Sequence, residues 1–167
     1  MRMSDEALRA ANQDLVRAYL DAVSFWKLDV IEALSTEDVV FDVPFCPPGF
    51  ERATHGRERY VEVLRQASTV MIDGPENLHD VTVDTLAGDP NELIAHYKSA
   101  MVLRSGTAYG NEYVARFTVR DGRVARFTEY CDPIRLYTAM GGHVGPLQAL
   151  EDTSMLPSLL SAPNTGV

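Results

Sequence analysis

Lysine is nearly missing from this chain. Lys27 and Lys98 stand against thirteen arginines, and 24 acidic residues bring the formal net charge to −9. A nucleic-acid partner needs a cationic footprint, and with no basic stripe here that class is excluded. Cysteine is equally scarce. Cys46 and Cys131 form neither a CxxC pair nor a disulfide framework, so both are expected as reduced thiols. The four histidines (His55, His79, His96, His143) lack metal-ligand spacing, and no protein-held metal is expected. No apolar run is long enough to span a bilayer, and MRMSDEALRAANQD has no apolar signal core. The expected location is therefore the cytoplasm.

At 167 residues, with 46% hydrophobic side chains, the chain has one globular domain's worth of core. Ser4 followed by DEALRAANQDLVRAYLDAV predicts a capped helix with acids in its first turn. WKLDVIEAL predicts a second, short helix, and GRERYVEVLRQAS a third. VVFDVPF predicts a strand ending near Pro44, CPPGFERATHG a loop and MIDGPEN another. From His79 onward strands dominate: HDVTVDTLAGD, NELIAHYKSAMVLRS, GTAYGNEYVARFTVRDG and RVARFTEYCDP. Helices followed by hairpin-linked strands predict an α+β domain over residues 1–142. A short helix, IRLYTAM, follows Pro133. The C-terminal tail, 143–167, is poor in pattern; three accounts of LQAL and MLPSLL stay open, covering the barrel mouth, covering a partner subunit, or a mobile tail.

The stretch FTEYCDP poses a chemical question. Period-two alternation puts Ala125, Phe127, Glu129 and Cys131 on one face, with Val124, Arg126, Thr128, Tyr130 and Asp132 on the other. A carboxylate between a phenylalanine and a cysteine is costly unless it is paired or does chemistry in a pocket. For Glu129 two accounts stay open: a general acid or base with a raised pKa, or an ion pair with Arg116 or Lys98. Asp42, the one charge in VVFDVPF, is either a base or a solvated residue on the Val40 face. Tyr19, in helical register with Leu15 and Ala22, suits a core aromatic. Asp132, before Pro133, suits a helix N-cap as well as a site. His96 either shuttles protons or is an ordinary strand histidine. Cys131 is assigned to the pocket lining.

Three stretches, LVRAYLDAV, STEDVVFDVP through HGRERYVEVL, and YGNEYVARFTVRDGRVARFTEYCDP, resemble the ketosteroid-isomerase-like, or nuclear transport factor two-like, superfamily. The last is similar to the end of SnoaL-type polyketide cyclases and phenazine-biosynthesis A/B proteins. The resemblance covers about Gln13 to Gly142 and implies a cone-shaped barrel: a curved, mostly antiparallel sheet wrapped around three N-terminal helices. It places Tyr19 where ketosteroid isomerases keep an oxyanion-donating tyrosine. The isomerase base falls on Val43, one place after Asp42, and its protonated acid on Ala115. Glu129 matches a strand glutamate of the phenazine proteins, whose pocket histidine is replaced by Val63. Asp132 matches a SnoaL-type aspartate. Asn111, Tyr113 and Phe127 lie on the faces the resemblance turns toward the pocket.

Together these features imply an acid–base enzyme that needs no organic cofactor. It would isomerise, cyclise or dehydrate a small apolar carbonyl or polyketide-like metabolite of secondary metabolism. Glu129 and Asp42 would divide acid and base roles, and Tyr19 would hold the oxyanion. Asn111, Tyr113, Phe127, Cys131, Asp132 and His96 would contact substrate. A homodimer is implied by the resemblance alone. Two alternatives stay open: an epoxide hydrolase of the limonene-epoxide type, although NEYVARFTV lacks the Arg-x-Asp pair, and a non-catalytic small-molecule binder.

Overall fold

A computed structural model describes residues 4–145. The tail, whose role the sequence leaves open, falls from residue 146 on outside the described residues. Helix α1 (Asp5–Ser24) starts where the Ser4 hydroxyl accepts from Ala7 N. Its apolar stripe, including Val16, Tyr19, Leu20 and Val23, is buried. Helix α2 (Leu28–Leu34) follows, then β1 (Ser35–Asp42), β2 (Ala53–His55) and α3 (Arg57–Gln66), which runs into a π-helical turn at Ala67–Met71. The remaining elements are β3 (Ile72–Asp73), β4 (His79–Leu86), β5 (Asp89–Lys98), β6 (Met101–Leu103), β7 (Ala108–Tyr109), β8 (Glu112–Arg120), β9 (Arg123–Cys131) and α4 (Pro133–Ala139).

The larger sheet has six strands in the order β2-β1-β9-β8-β5-β4, all antiparallel neighbours except the parallel pair β1 and β9. It curves around the helices, giving the α+β cone expected from the sequence. Its inner face and α1 to α3 share a core of aromatics and aliphatics. Phe117 and Phe127 stack at 4.6 Å, and Tyr19 meets both edge-on.

Two segments expected as single strands break in the middle. Lys98 and Met101 are separated by Ser99 and Ala100, and Tyr109 and Glu112 by Gly110 and Asn111. The breaks face each other, joined by Ser99 N donating to Asn111 O at 3.0 Å. Gly110 makes the approach possible, because a Cβ there would sit 2.8 Å from the Ser99 carbonyl oxygen. Beyond this corner, β6 and β7 leave the large sheet and join β3 in a second sheet of three strands, order β3-β6-β7. Its small core is Ile72, Met101, Leu103 and Tyr109, and Trp26 packs against both cores. No helix among the described residues is long and apolar enough to cross a membrane.

Strict alternation along β9 fails at one place. The register shifts between Thr118 and Val119, so that Val119 pairs with Val124 and Thr118 with Arg126. Ala125 is the extra residue of this bulge, and Val124 is fully buried in the core rather than opposite Phe127. Beyond the bulge Phe127, Glu129 and Cys131 keep the inward face predicted for them.

Candidate active site

A cavity of about 470 Å³ opens between the inner face of the large sheet, α3 with its π-helical turn, and the small sheet. Phe41, Val63, Leu64, Met71, Met101 and Leu103 supply apolar wall, and Trp26, Tyr109 and Tyr113 supply aromatic wall. Two half-buried carboxyls, Glu129 and Glu76, line it, with Glu51 at the exposed rim. No lysine, arginine or histidine is in the lining among the described residues. A wider groove of about 770 Å³ lies between α1 and the β8–β9 turn, but its ionisable side chains, Asp14, Arg120 and Asp121, are all exposed. The smaller cavity is therefore the candidate site.

Glu129 is carried inward by β9. The cations that might have paired with it are engaged elsewhere: Arg116 with Glu92 at 3.3 Å and Lys98 with Asp80 at 3.1 Å. Its partner is instead the buried Tyr97 of β5, whose hydroxyl donates to Glu129 Oε2. Burial pushes Glu129 up to about 7, with the Tyr97 hydrogen bond pulling the other way. Burial of the Tyr97 phenol, then the nearby Glu129 charge, keep that phenol protonated well above its ordinary range.

Glu76 comes from the loop between β3 and β4, in the segment expected only as a loop. Its backbone is held from two sides: Glu76 N donates to Ser24 O at 2.9 Å, and Ala100 N donates to Glu76 O at 3.1 Å. Burial, then the negative charge of Glu129, push its carboxyl up to about 8. No periodicity marks Glu76 in the sequence, and only the chain fold brings it to Glu129.

The other predicted residues are distributed as follows. Tyr113 and Cys131 line the cavity, and burial pushes the Cys131 thiol up to about 12, far from a thiolate nucleophile. Tyr19 does not line it. This phenol is wholly buried, and its proton goes to Ser35 Oγ (3.3 Å), because Ser35 itself donates to Ile31 O at 2.7 Å. Phe127 stands one layer back, behind the cavity-lining Phe41 at 5.1 Å. Asp42 also lies outside the lining. It sits within 3.7 Å of Arg52 Nε and 3.6 Å of Arg126 Nη1, next in β1 to the cavity-lining Phe41 and so on the opposite face. His96 is exposed on the outer face of β5. Asp132 caps α4, accepting from Ile134 N and Arg135 N. Asn111 is buried and clamps Asp132 from both sides, with Nδ2 donating to its carbonyl at 3.0 Å and Oδ1 accepting from its N–H at 3.2 Å.

Known proteins are similar to this chain in sequence or in fold. YesE of Bacillus subtilis (strain 168), an uncharacterised protein, is 27% identical over 111 residues, covering 64% of this chain and 71% of YesE. A phenazine biosynthesis-related protein of Pseudomonas aeruginosa superposes with a TM-score of 0.73 at 18% identity, over 86% of this chain and 94% of its own. A structure from Xanthomonas campestris pv. campestris, provisionally assigned as a polyketide cyclase, gives 0.63 at 26% identity over 74% and 91%. Residues 16–127 match the SnoaL-like domain, and the chain belongs to that family.

Proposed function

We propose that the protein is an acid–base enzyme acting on a small, largely apolar carbonyl compound. The observation that carries this reading is the pair Glu76 and Glu129: two carboxyls facing one cavity whose described lining holds no cation. Like charges in one apolar-walled cavity cannot both ionise cheaply, so the pair keeps a proton near neutral pH. Glu129 ionises first and Tyr97 holds its charge, which makes it the base. Glu76 keeps its proton longer, which makes it the acid.

Glu129 takes a proton from the carbon beside the carbonyl. The C–H electron pair becomes a C=C bond, and the carbonyl π pair moves onto oxygen to give an enolate. Isomerisation returns the proton to another carbon, and cyclisation directs the enolate carbon onto a second carbonyl. Dehydration expels a β-hydroxyl as water with the proton of Glu76, and solvent restores both carboxyls. The 26% identical neighbour assigned as a polyketide cyclase supports a substrate of this kind. Epoxide opening has less support, since no arginine is in the described lining to bridge the carboxyls.

Solvent-deuterium exchange at the α-carbon of 2-tetralone, followed by proton NMR, tests the reading. The wild-type protein should exchange these protons at least about 100-fold faster than Glu129→Gln, the usual scale for a positioned base. Equal rates for the two proteins would favour a non-catalytic binder.

A further inference from the structure

The buried polar corner formed by Ser99, Tyr109, Asn111 and Tyr113 is not used by the two carboxyls, yet it faces the same cavity. We propose that Tyr109 and Tyr113 form the donor site for the substrate's carbonyl oxygen, held in donating polarity by Asn111 and Ser99. This rests on the acid–base reading of the cavity and assigns the oxyanion role away from Tyr19.

The direction of each hydrogen bond follows by elimination. Asn111 Oδ1 accepts from two backbone N–H groups, Glu112 at 2.9 Å and Asp132 at 3.2 Å, so that atom is the oxygen. The Nδ2 group then donates to Asp132 O and to Tyr109 Oη at 2.8 Å. Asn111 N, which can only donate, reaches Ser99 Oγ at 3.3 Å. Ser99 is 4% exposed, and its own proton needs an acceptor. Among the described residues only Tyr113 Oη is in reach, at 3.1 Å. Both phenol oxygens therefore accept from behind; the Tyr109 proton is left to give, and the Tyr113 proton, with Tyr109 beside it, turns either to that phenol or to an oxygen bound in the cavity. Tyr109 and Tyr113 both line the cavity.

Other features fix the donors in place. Tyr113 stacks on Tyr97 at 4.9 Å, the residue that holds Glu129, and it pairs across the strands with Cys131. Burial pushes the Tyr109 phenol up to about 12 and Tyr113 further still, so both stay neutral donors at working pH. Donors aimed in advance at a developing oxyanion cost no reorganisation when the charge appears. The backbone-anchored chain from Asn111 through Ser99 to Tyr113 polarises the last donor in the same sense. Tyr109 and Tyr113 are thus catalytic residues in this account, and Ser99 and Asn111 are positioning residues.

The test uses 4-nitrophenol as a stand-in for the enolate, with the Glu129→Gln protein imitating the protonated base. In slightly acidic buffer the bound probe should show a larger ionised fraction, by absorbance, than the free probe. Adding Tyr113→Phe or Tyr109→Phe should weaken phenolate binding at least about tenfold, the scale of a hydrogen bond to a charged group. Ser99→Ala should shift the bound spectrum the same way by less. Nitrobenzene, which cannot ionise, should bind all these proteins alike. Unchanged phenolate binding in both phenylalanine variants would overturn the proposal, as would a parallel loss of nitrobenzene. Tyrosine-dependent phenolate binding without ketone exchange would instead sink the acid–base reading and leave the donor site standing.

Discussion

Glu129 and Glu76 are raised chiefly by the same cause, removal from water, and differ in what opposes it. Tyr97 donates to Glu129 and steadies its charged form, while Glu76 receives no such bond among the described residues and feels the charge of Glu129. On the acid–base reading proposed above the active form has one proton on the pair, so kcat/KM should rise through about 7 and fall above about 8, a narrow bell. Tyr97→Phe removes the donor and should move the rising limb to higher pH, as read from the pH–rate profile on any exchanging ketone. Glu129 was legible in the sequence because β alternation sets it between Phe127 and Cys131. Glu76 was not, because a loop residue in GPEN carries no periodic signal. Asp42 and Tyr19 show the reverse case. Each is chemically suited to the work, but two arginines pair with Asp42, and Tyr19 spends its proton on Ser35 inside the core.

The corner between β5–β6 and β7–β8 is the element on which the site depends. Its sequence, AYGNEY, reads as one continuous strand, since nothing in the pattern announces that Gly110 must pass so close to Ser99. Gly110→Ala should therefore destabilise the protein by about 2 kcal/mol or more through backbone displacement, measured by urea denaturation. Asn111→Ala should cost a similar ~2–4 kcal/mol, because a buried side chain is lost and the part-buried backbone groups it clamps lose their partners. Asp132→Ala removes only the cap of α4. It should cost ~1 kcal/mol and leave the pH–rate profile unchanged. The bulge at Ala125 escaped the alternation reading for a related reason: one extra residue in a ladder leaves the local composition unaltered while reversing the face of Val124.

At the scale of the whole molecule, the curved sheet, the helices and the small sheet enclose a cavity that stores unfavourable charge. In the unfolded chain both glutamates titrate near 4.5, and in the fold near 7 and 8. Between these limits the folded state binds more protons, so stability falls as pH rises from about 4.5 through 8 and then levels. Glu76→Gln and Glu129→Gln should each be more stable than wild type at pH 8, on the order of 2 kcal/mol, and nearly equal to it in mildly acidic buffer. Urea midpoints at the two pH values check this directly. Trp26, the single tryptophan, lines the cavity and bridges the two cores, so its fluorescence should report ligand entry. The most direct measurement of the central claim is the titration of the glutamate carboxyl carbons by ¹³C NMR, with Glu76→Gln and Glu129→Gln supplying the assignments. The account predicts two coupled transitions near 7 and 8, collapsing to one in either variant. Both carboxyls titrating in the ordinary range near 4.5 would contradict it.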